Sequence, residues 1–217
     1  MPVQGRKQTE YSLIDFLLET ELETFKNYIS SQTVLLHEQE TKINDWIDKE
    51  VWIEKDEPPP AIAIDMKVNA SIFTYNLFYK STLITLYSFL EAVMKEIARI
   101  EGGKLKTQVK PTDLKGQGVL MYKNYLEKVI GIKFKDLNFD WNKIDNVRII
   151  RNHLVHDYLD YSEEKKFKHV EGICKSDKNL EFNRENKEIV IRLDYLLNFC
   201  SFIKLFTKEL TNNLKMS

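Results

Sequence analysis

The sequence predicts an all-α protein: a bundle of about five helices with a minor β-hairpin between its motif-bearing helix and the C-terminal helix. Three observations predict it. Apolar residues recur at helical spacing through most of the chain. A triple proline and a glycine pair punctuate these runs. One short polar step, Asn183 to Asn186, is flanked by strand-like segments. Helices with one apolar face each must pack against one another, so a bundle is the economical solution.

From Tyr11 to about Trp52, apolar residues fall at Leu13, Leu17, Phe25, Tyr28, Leu35, Leu36, Ile43, Trp46 and Ile47, close to a helical stripe with acidic residues outside it. Pro58, Pro59 and Pro60 end that helix, because proline lacks an N–H and clashes with the preceding turn. The cleanest periodicity follows, from Asp65 to Ile100, through Ile72, Tyr75, Tyr79, Leu83, Leu86, Leu90, Val93, Ile97 and Ile100. Gly102 and Gly103 are expected to stop it. The Gly116–Gly118 step precedes a helix to about Ile130. No strand stands before it and no Gly-Lys-Ser/Thr follows, so it predicts a turn rather than a phosphate cradle. A helix from about Asp140 to Tyr161 comes next. Leu180–Phe182 and Lys187–Arg192 form the hairpin, and a last helix from Leu193 to Leu214 carries Leu196, Leu197, Phe199, Ile203, Phe206 and Leu210. The expected division is a long acidic helix over residues 1–57, packing on a helical domain over 61–217.

Composition narrows the class. Apolar residues make up 43% and charged residues 30% of 217 positions, a balance that supports a packed core. Two cysteines give no disulfide framework and no repeated metal-ligand spacing, which fits a reducing compartment. No apolar run approaches the roughly 18 residues of a membrane span, and the N-terminus lacks a signal-peptide core. The expectation is a soluble cytoplasmic protein with no membrane partner.

The formal charge of −1 does not advertise nucleic acid, but its distribution is uneven. Residues 1–60 hold 6 basic against 13 acidic side chains, a balance of −7. Residues 102–135 hold eight lysines (104, 106, 110, 115, 123, 128, 133 and 135) against Asp113 and Glu127, a balance of +6. Such a cluster attracts phosphate backbones by counterion release, without reading sequence. The ordinary alternative is a solvated loop and helix face.

The chemistry-bearing stretch is Arg148-Ile149-Ile150-Arg151-Asn152-His153-Leu154-Val155-His156-Asp157-Tyr158. Arginine is a permanent cation shaped to grip phosphate. Histidine gives or takes a proton near neutral pH. At about 100° per residue, Ile144, Val147, Leu154, Val155 and Tyr158 form one apolar stripe that includes Arg151. Asn152 and His156, four apart, flank it beside Arg148, while His153 is expected to face solvent. An arginine within an apolar stripe is unfavourable unless it finds a partner or an interface. The competing structural explanation is a buried arginine paired to a carboxylate, with His156 an ordinary surface histidine.

Arg151, the polar Asn152 beside it, His156 and Tyr158 together resemble the signature of the HEPN superfamily (higher eukaryotes and prokaryotes nucleotide-binding domains). More narrowly, they are similar to the form found in HEPN toxins paired with small nucleotidyltransferase antitoxins. Tyr79 to Glu91 resembles an earlier core helix of that family, and the resemblance covers residues 65–215. It implies a metal-independent endoribonuclease, a toxin or phage-defence effector, that works on RNA as a homodimer and needs no cofactor. Its catalytic residues would be Arg151, Asn152 and His156. Arg148, Lys104, Lys106, Lys110 and Lys115 would hold the strand. Two-fold symmetry would supply a second His156, giving one general base and one general acid. Tyr158 matches the position nucleotidylated by a partner antitoxin, against the alternative of a core tyrosine. Glu91 and Lys95, one turn apart, are candidates for secondary support or for a plain surface ion pair. The alternative function is a non-catalytic HEPN-like module that binds a nucleotide or a protein.

Overall fold

A computed structural model describes residues 3–52, 57–137, 139–157, 164–185 and 187–216. It is all-α with one antiparallel hairpin, as the periodicity predicts. The helices are α1 (Val3–Trp46), α2 (Ala61–Val68), α3 (Thr74–Leu105), α4 (Val119–Tyr125), α5 (Trp141–Asn152), α6 (Glu164–Ser176) and α7 (Leu193–Met216). Strands β1 (Leu180–Asn183) and β2 (Glu188–Ile191) pair antiparallel, with Leu180 opposite Ile191 and Asn183 opposite Glu188. The helical path widens into π turns at Ile47–Val51, Asn69–Phe73, Leu126–Ile130 and His153–Asp157. The chain divides into two compact units, one of residues 1–22, 84–153 and 199–217, the other of 23–83 and 154–198.

In the first unit the start of α1 is fixed by polar contacts. Tyr11, fully buried, donates its hydroxyl to the buried Glu101 on α3, and Lys104 closes the group with an ion pair to Glu101 at 2.7 Å. The Lys104 ammonium also lies 4.2 Å from the Tyr11 ring centroid. Asp15 accepts from Thr211 and Lys215 on α7, each at 2.8 Å, and Glu19 pairs with Lys204. The core draws on Leu86, Leu90, Met94 and Ile97 of α3 with Ile203, Phe206 and Leu210 of α7, all effectively without solvent exposure.

In the second unit Thr33 and Tyr79 join their hydroxyls at 3.2 Å, and Lys67 bridges to Asp48 at 2.8 Å. The hairpin is held through Glu188, which accepts from Asn76 at 2.7 Å and Lys80 at 2.6 Å. Glu171 on α6 takes both Arg184 nitrogens, Nε at 2.9 Å and Nη2 at 2.5 Å, with Lys175 at 2.8 Å. A carboxylate so surrounded is held well down, to about 2, chiefly by those hydrogen bonds.

Several expectations need correction. Helix α3 does not stop at the glycine pair but runs to Leu105, and the turn falls at Lys106, whose φ is +52°. Gly102 serves packing instead: a β-carbon there would overlap the Tyr125 hydroxyl. Helix α6 is not among the elements the sequence predicts, although Val170, Ile173 and Cys174 bury one of its faces. On α1 the buried line is Tyr11, Leu18, Leu22 and Ile29. The parallel line through Leu17, Tyr28, Leu35 and Trp46 is exposed. Two apolar lines run along this helix, and the fold covers the one stepping by seven, four and seven.

Candidate functional site

Helix α5 opens on Asp140, whose carboxylate accepts from the Asn142 N–H at 2.9 Å and satisfies an otherwise orphaned donor of the first turn. Its buried line is Ile144, Val147, Ile150 and His153. Steps of three drift by about 60° each, so the covered face winds around the helix instead of running straight along it. This corrects two expectations. His153 is 1% exposed rather than solvent-facing, and Val155, expected in the apolar stripe, is 42% exposed.

Arg151 is half-buried. Its Nη1 donates to Asn152 Oδ1 at 3.2 Å. Its Nε is buried and has no hydrogen-bond partner among the described residues. Arg148 is committed locally, donating from Nε to Asp145 Oδ1 at 2.8 Å. His156 is exposed, on the π turn His153–Asp157 that follows α5. A π turn hydrogen-bonds five residues apart, so the four-residue phase that aligns Asn152 with His156 in an α-helix does not apply across it. Tyr158 lies outside the described residues.

Tyr87 links α3 to α5 electrostatically. It is 4% exposed, and its phenol is pushed up to about 12, first by burial and then by the Glu91 carboxylate. Arg148 and Arg151 pull in the opposite direction, and Asp145 adds to the rise. The phenol therefore senses both arginines of α5 and two carboxylates. Tyr122 on α4 is likewise raised by burial and by Glu91. The Glu91 carboxylate rests over Gly118, where a β-carbon would stand 3.1 Å from Oε2. Gly118 has φ +57° and ψ −137°, a conformation suited to glycine. The Gly116–Gly118 step is thus the turn the sequence predicts, with an added role in admitting a carboxylate.

Glu91 and the arginines of α5 thus act on the same Tyr87 phenol, while Lys95, one turn on from Glu91, is exposed. Tyr87, Tyr122, Gly118 and Asp145 are not among the residues singled out by sequence. Tyr87 has one legible signal: it precedes Glu91 by four positions on a helix, the spacing of facing neighbours.

The lysines divide by commitment. Lys104 is engaged with Glu101 and the Tyr11 ring. Lys106, Lys110 and Lys115 are exposed. Lys123 leans over the Trp141 ring at 4.8 Å and pairs loosely with Glu127 at 3.7 Å.

Among the described residues no group of three or more His, Cys, Asp and Glu side chains could hold a metal ion, and no helix is long and apolar enough to cross a membrane. No protein-family model matches the chain, nor does any curated protein or solved structure.

Proposed function

We propose that the protein is a metal-independent endoribonuclease of HEPN type, a toxin or phage-defence effector that acts on cytoplasmic RNA as a homodimer. The observation that carries this reading is Arg151, a half-buried cation with a buried Nε that no described residue satisfies. An unpartnered buried donor on a permanent cation is unfavourable in the free protein. A phosphate oxygen would relieve it, and the planar guanidinium suits phosphate geometry. Asn152, tied to the same guanidinium, would add a neutral hydrogen bond to the phosphate or orient the arginine. His156, exposed on the following turn, supplies the proton-transfer group.

In such an enzyme the ribose 2′-hydroxyl gives up its proton to a base and attacks the adjacent phosphorus. The bond from phosphorus to the 5′-oxygen breaks as an acid protonates that oxygen. One His156 from each protomer would fill the two roles, and Arg151 would stabilise the charge that builds on the phosphorane oxygens. The products are a 2′,3′-cyclic phosphate and a 5′-hydroxyl end. A nucleotidyltransferase antitoxin acting on Tyr158 belongs to the same proposal, as does strand binding by Arg148, Lys106, Lys110 and Lys115.

The test is cleavage of end-labelled single-stranded RNA in excess chelator. Cyclic-phosphate products are expected, with a loss of roughly 10²-fold or more in Arg151→Ala and in His156→Ala while circular dichroism stays unchanged. Undiminished cleavage in both variants sinks the assignment. RNA binding without cleavage favours the non-catalytic module.

A further inference from the structure

We infer that the aromatic cluster at the start of α5 is a stacking platform for single-stranded RNA, resting on the nuclease reading and naming the strand it would take. Phe139, Trp141 and Phe202 are half-buried side chains of the first unit. They stand on a buried base formed by Phe134 and Phe206. Phe139 meets Phe206 edge-on with centroids 4.6 Å apart, Trp141 meets Phe134 at 5.4 Å, and the Phe202 and Phe206 rings are parallel within 3°. A base so packed fixes the orientation of the rings at its rim.

Cations accompany those rings. Lys123 Nζ lies 4.8 Å from the Trp141 centroid, and Lys143 Nζ lies 5.5 Å from that of Phe202. Lys128, Lys133 and Lys135, from the segment with a charge balance of +6, are exposed nearby in sequence. A platform that recognises single strands combines these same two components: π faces on which bases stack, and ammonium groups that follow the backbone. Duplex RNA keeps its bases stacked inside and cannot offer them to a ring. The ammonium groups beside the rings, with the lysine surplus of residues 102–135, complement a polyanion. Along α5, Trp141 and Arg151 are ten residues apart, about 15 Å of helix at 1.5 Å per residue. The two are also about 80° apart around the helix axis, so a strand stacked at Trp141 would wrap partly around α5 to bring a phosphate to the arginine.

The experiment uses a fluorescein-labelled, 2′-O-methylated oligouridine, which lacks the attacking hydroxyl and so reports binding alone. The protein carries Trp46→Phe and Trp52→Phe, leaving Trp141 as the sole tryptophan. Expected are quenching of Trp141 on titration and roughly tenfold weaker binding in Trp141→Ala. Lys143→Glu should weaken binding and Lys143→Arg should restore it. The same length of RNA duplex should bind more weakly. Unchanged Trp141 fluorescence, equal affinity for strand and duplex, or equal affinity in Trp141→Ala would each overturn the platform. If Trp141→Ala fails to fold, undiminished binding in Lys143→Glu overturns it. Polyglutamate binding as tightly as the oligonucleotide would assign the patch to acidic peptides instead. Strand binding with quenching in a protein that cleaves nothing leaves the platform standing and removes the nuclease. Undiminished cleavage with no quenching does the reverse.

Discussion

Glu91 holds its carboxylate Oε2 3.1 Å from the point at which a β-carbon on residue 118 would stand. The contact joins α3 to the turn before α4, and Tyr87 and Tyr122 both sense the charge placed there. Gly118→Ala must therefore both strain a backbone at φ +57° and displace a carboxylate. The expected loss is about 1–3 kcal/mol by urea unfolding. Combined with Glu91→Ala, the steric part should vanish and the backbone part remain, so the two changes should be less than additive. Strict additivity would show that the residues do not meet.

Gly102→Ala should destabilise by about 1–3 kcal/mol, since the added methyl meets the Tyr125 hydroxyl. Tyr125→Phe removes the obstructing oxygen and should recover part of the loss. Thermal melts of the single and double variants decide it, and a double variant no better than Gly102→Ala would assign the loss elsewhere.

Tyr87 should titrate near 12 in the folded protein against an ordinary value of 10.0, because burial and Glu91 both favour the neutral phenol. Its folded value is raised, so the stability it contributes is complete below about pH 10 and is lost as pH rises through 12. Tyr87→Phe should remove one late step from the tyrosinate absorbance titration. A difference spectrum showing ionisation near pH 10 would contradict the arrangement.

Glu171 works in the opposite direction. Its value is held to about 2 against an ordinary 4.5 by hydrogen bonds from Arg184 and Lys175. The stability it contributes is present above pH 4.5 and fades as pH falls towards 2. Glu171→Gln should flatten the acid limb of the unfolding curve, and Arg184→Ala should move that limb to higher pH. An acid limb identical in all three proteins would dismiss the cluster as a stabilising element.

Cys174 is buried, and burial, with Asp177 and Glu171 adding, pushes its thiol up to about 11 from 9.0. At neutral pH the thiolate is about a hundredfold scarcer than for a thiol at the ordinary value, so alkylation of the native protein should be correspondingly slow. Denaturant should restore an ordinary rate. Fast labelling of Cys174 in native protein would contradict its burial.

Much of the fold was legible in the sequence. The apolar positions of α3 and α7 recur at helical spacing, and burial at Leu83, Leu86, Leu90, Ile97, Leu196, Ile203, Phe206 and Leu210 follows them closely. Periodicity fails where a helix carries two apolar lines, as α1 does, because only the neighbours decide which line is covered. It also misses α6, whose charged residues surround a short apolar face. Glycine is ambiguous by nature: at Gly102 it makes room for a tyrosine, at Gly118 it supplies a positive φ, and sequence spells both alike. At the candidate site, Arg151 and Asn152 were legible as chemistry on a helix. The burial of His153 and the meeting of Glu91's and the arginines' influence at Tyr87 depend on the winding of α5's covered face and on the approach of helices far apart in sequence.

The π turn at His153–Asp157 makes the chain around His156 one residue longer than an α-helical path would need. Such a turn is how a helix absorbs an inserted residue without breaking. The motif helix should therefore accept a one-residue deletion between His153 and Asp157 and resume an α-helical path. That deletion, made at Leu154 or Val155, would shift His156 relative to Asn152 while leaving the chemistry of both residues intact. It separates composition from phase: if cleavage depends on where the histidine points, the shortened helix should fold and fail to cut.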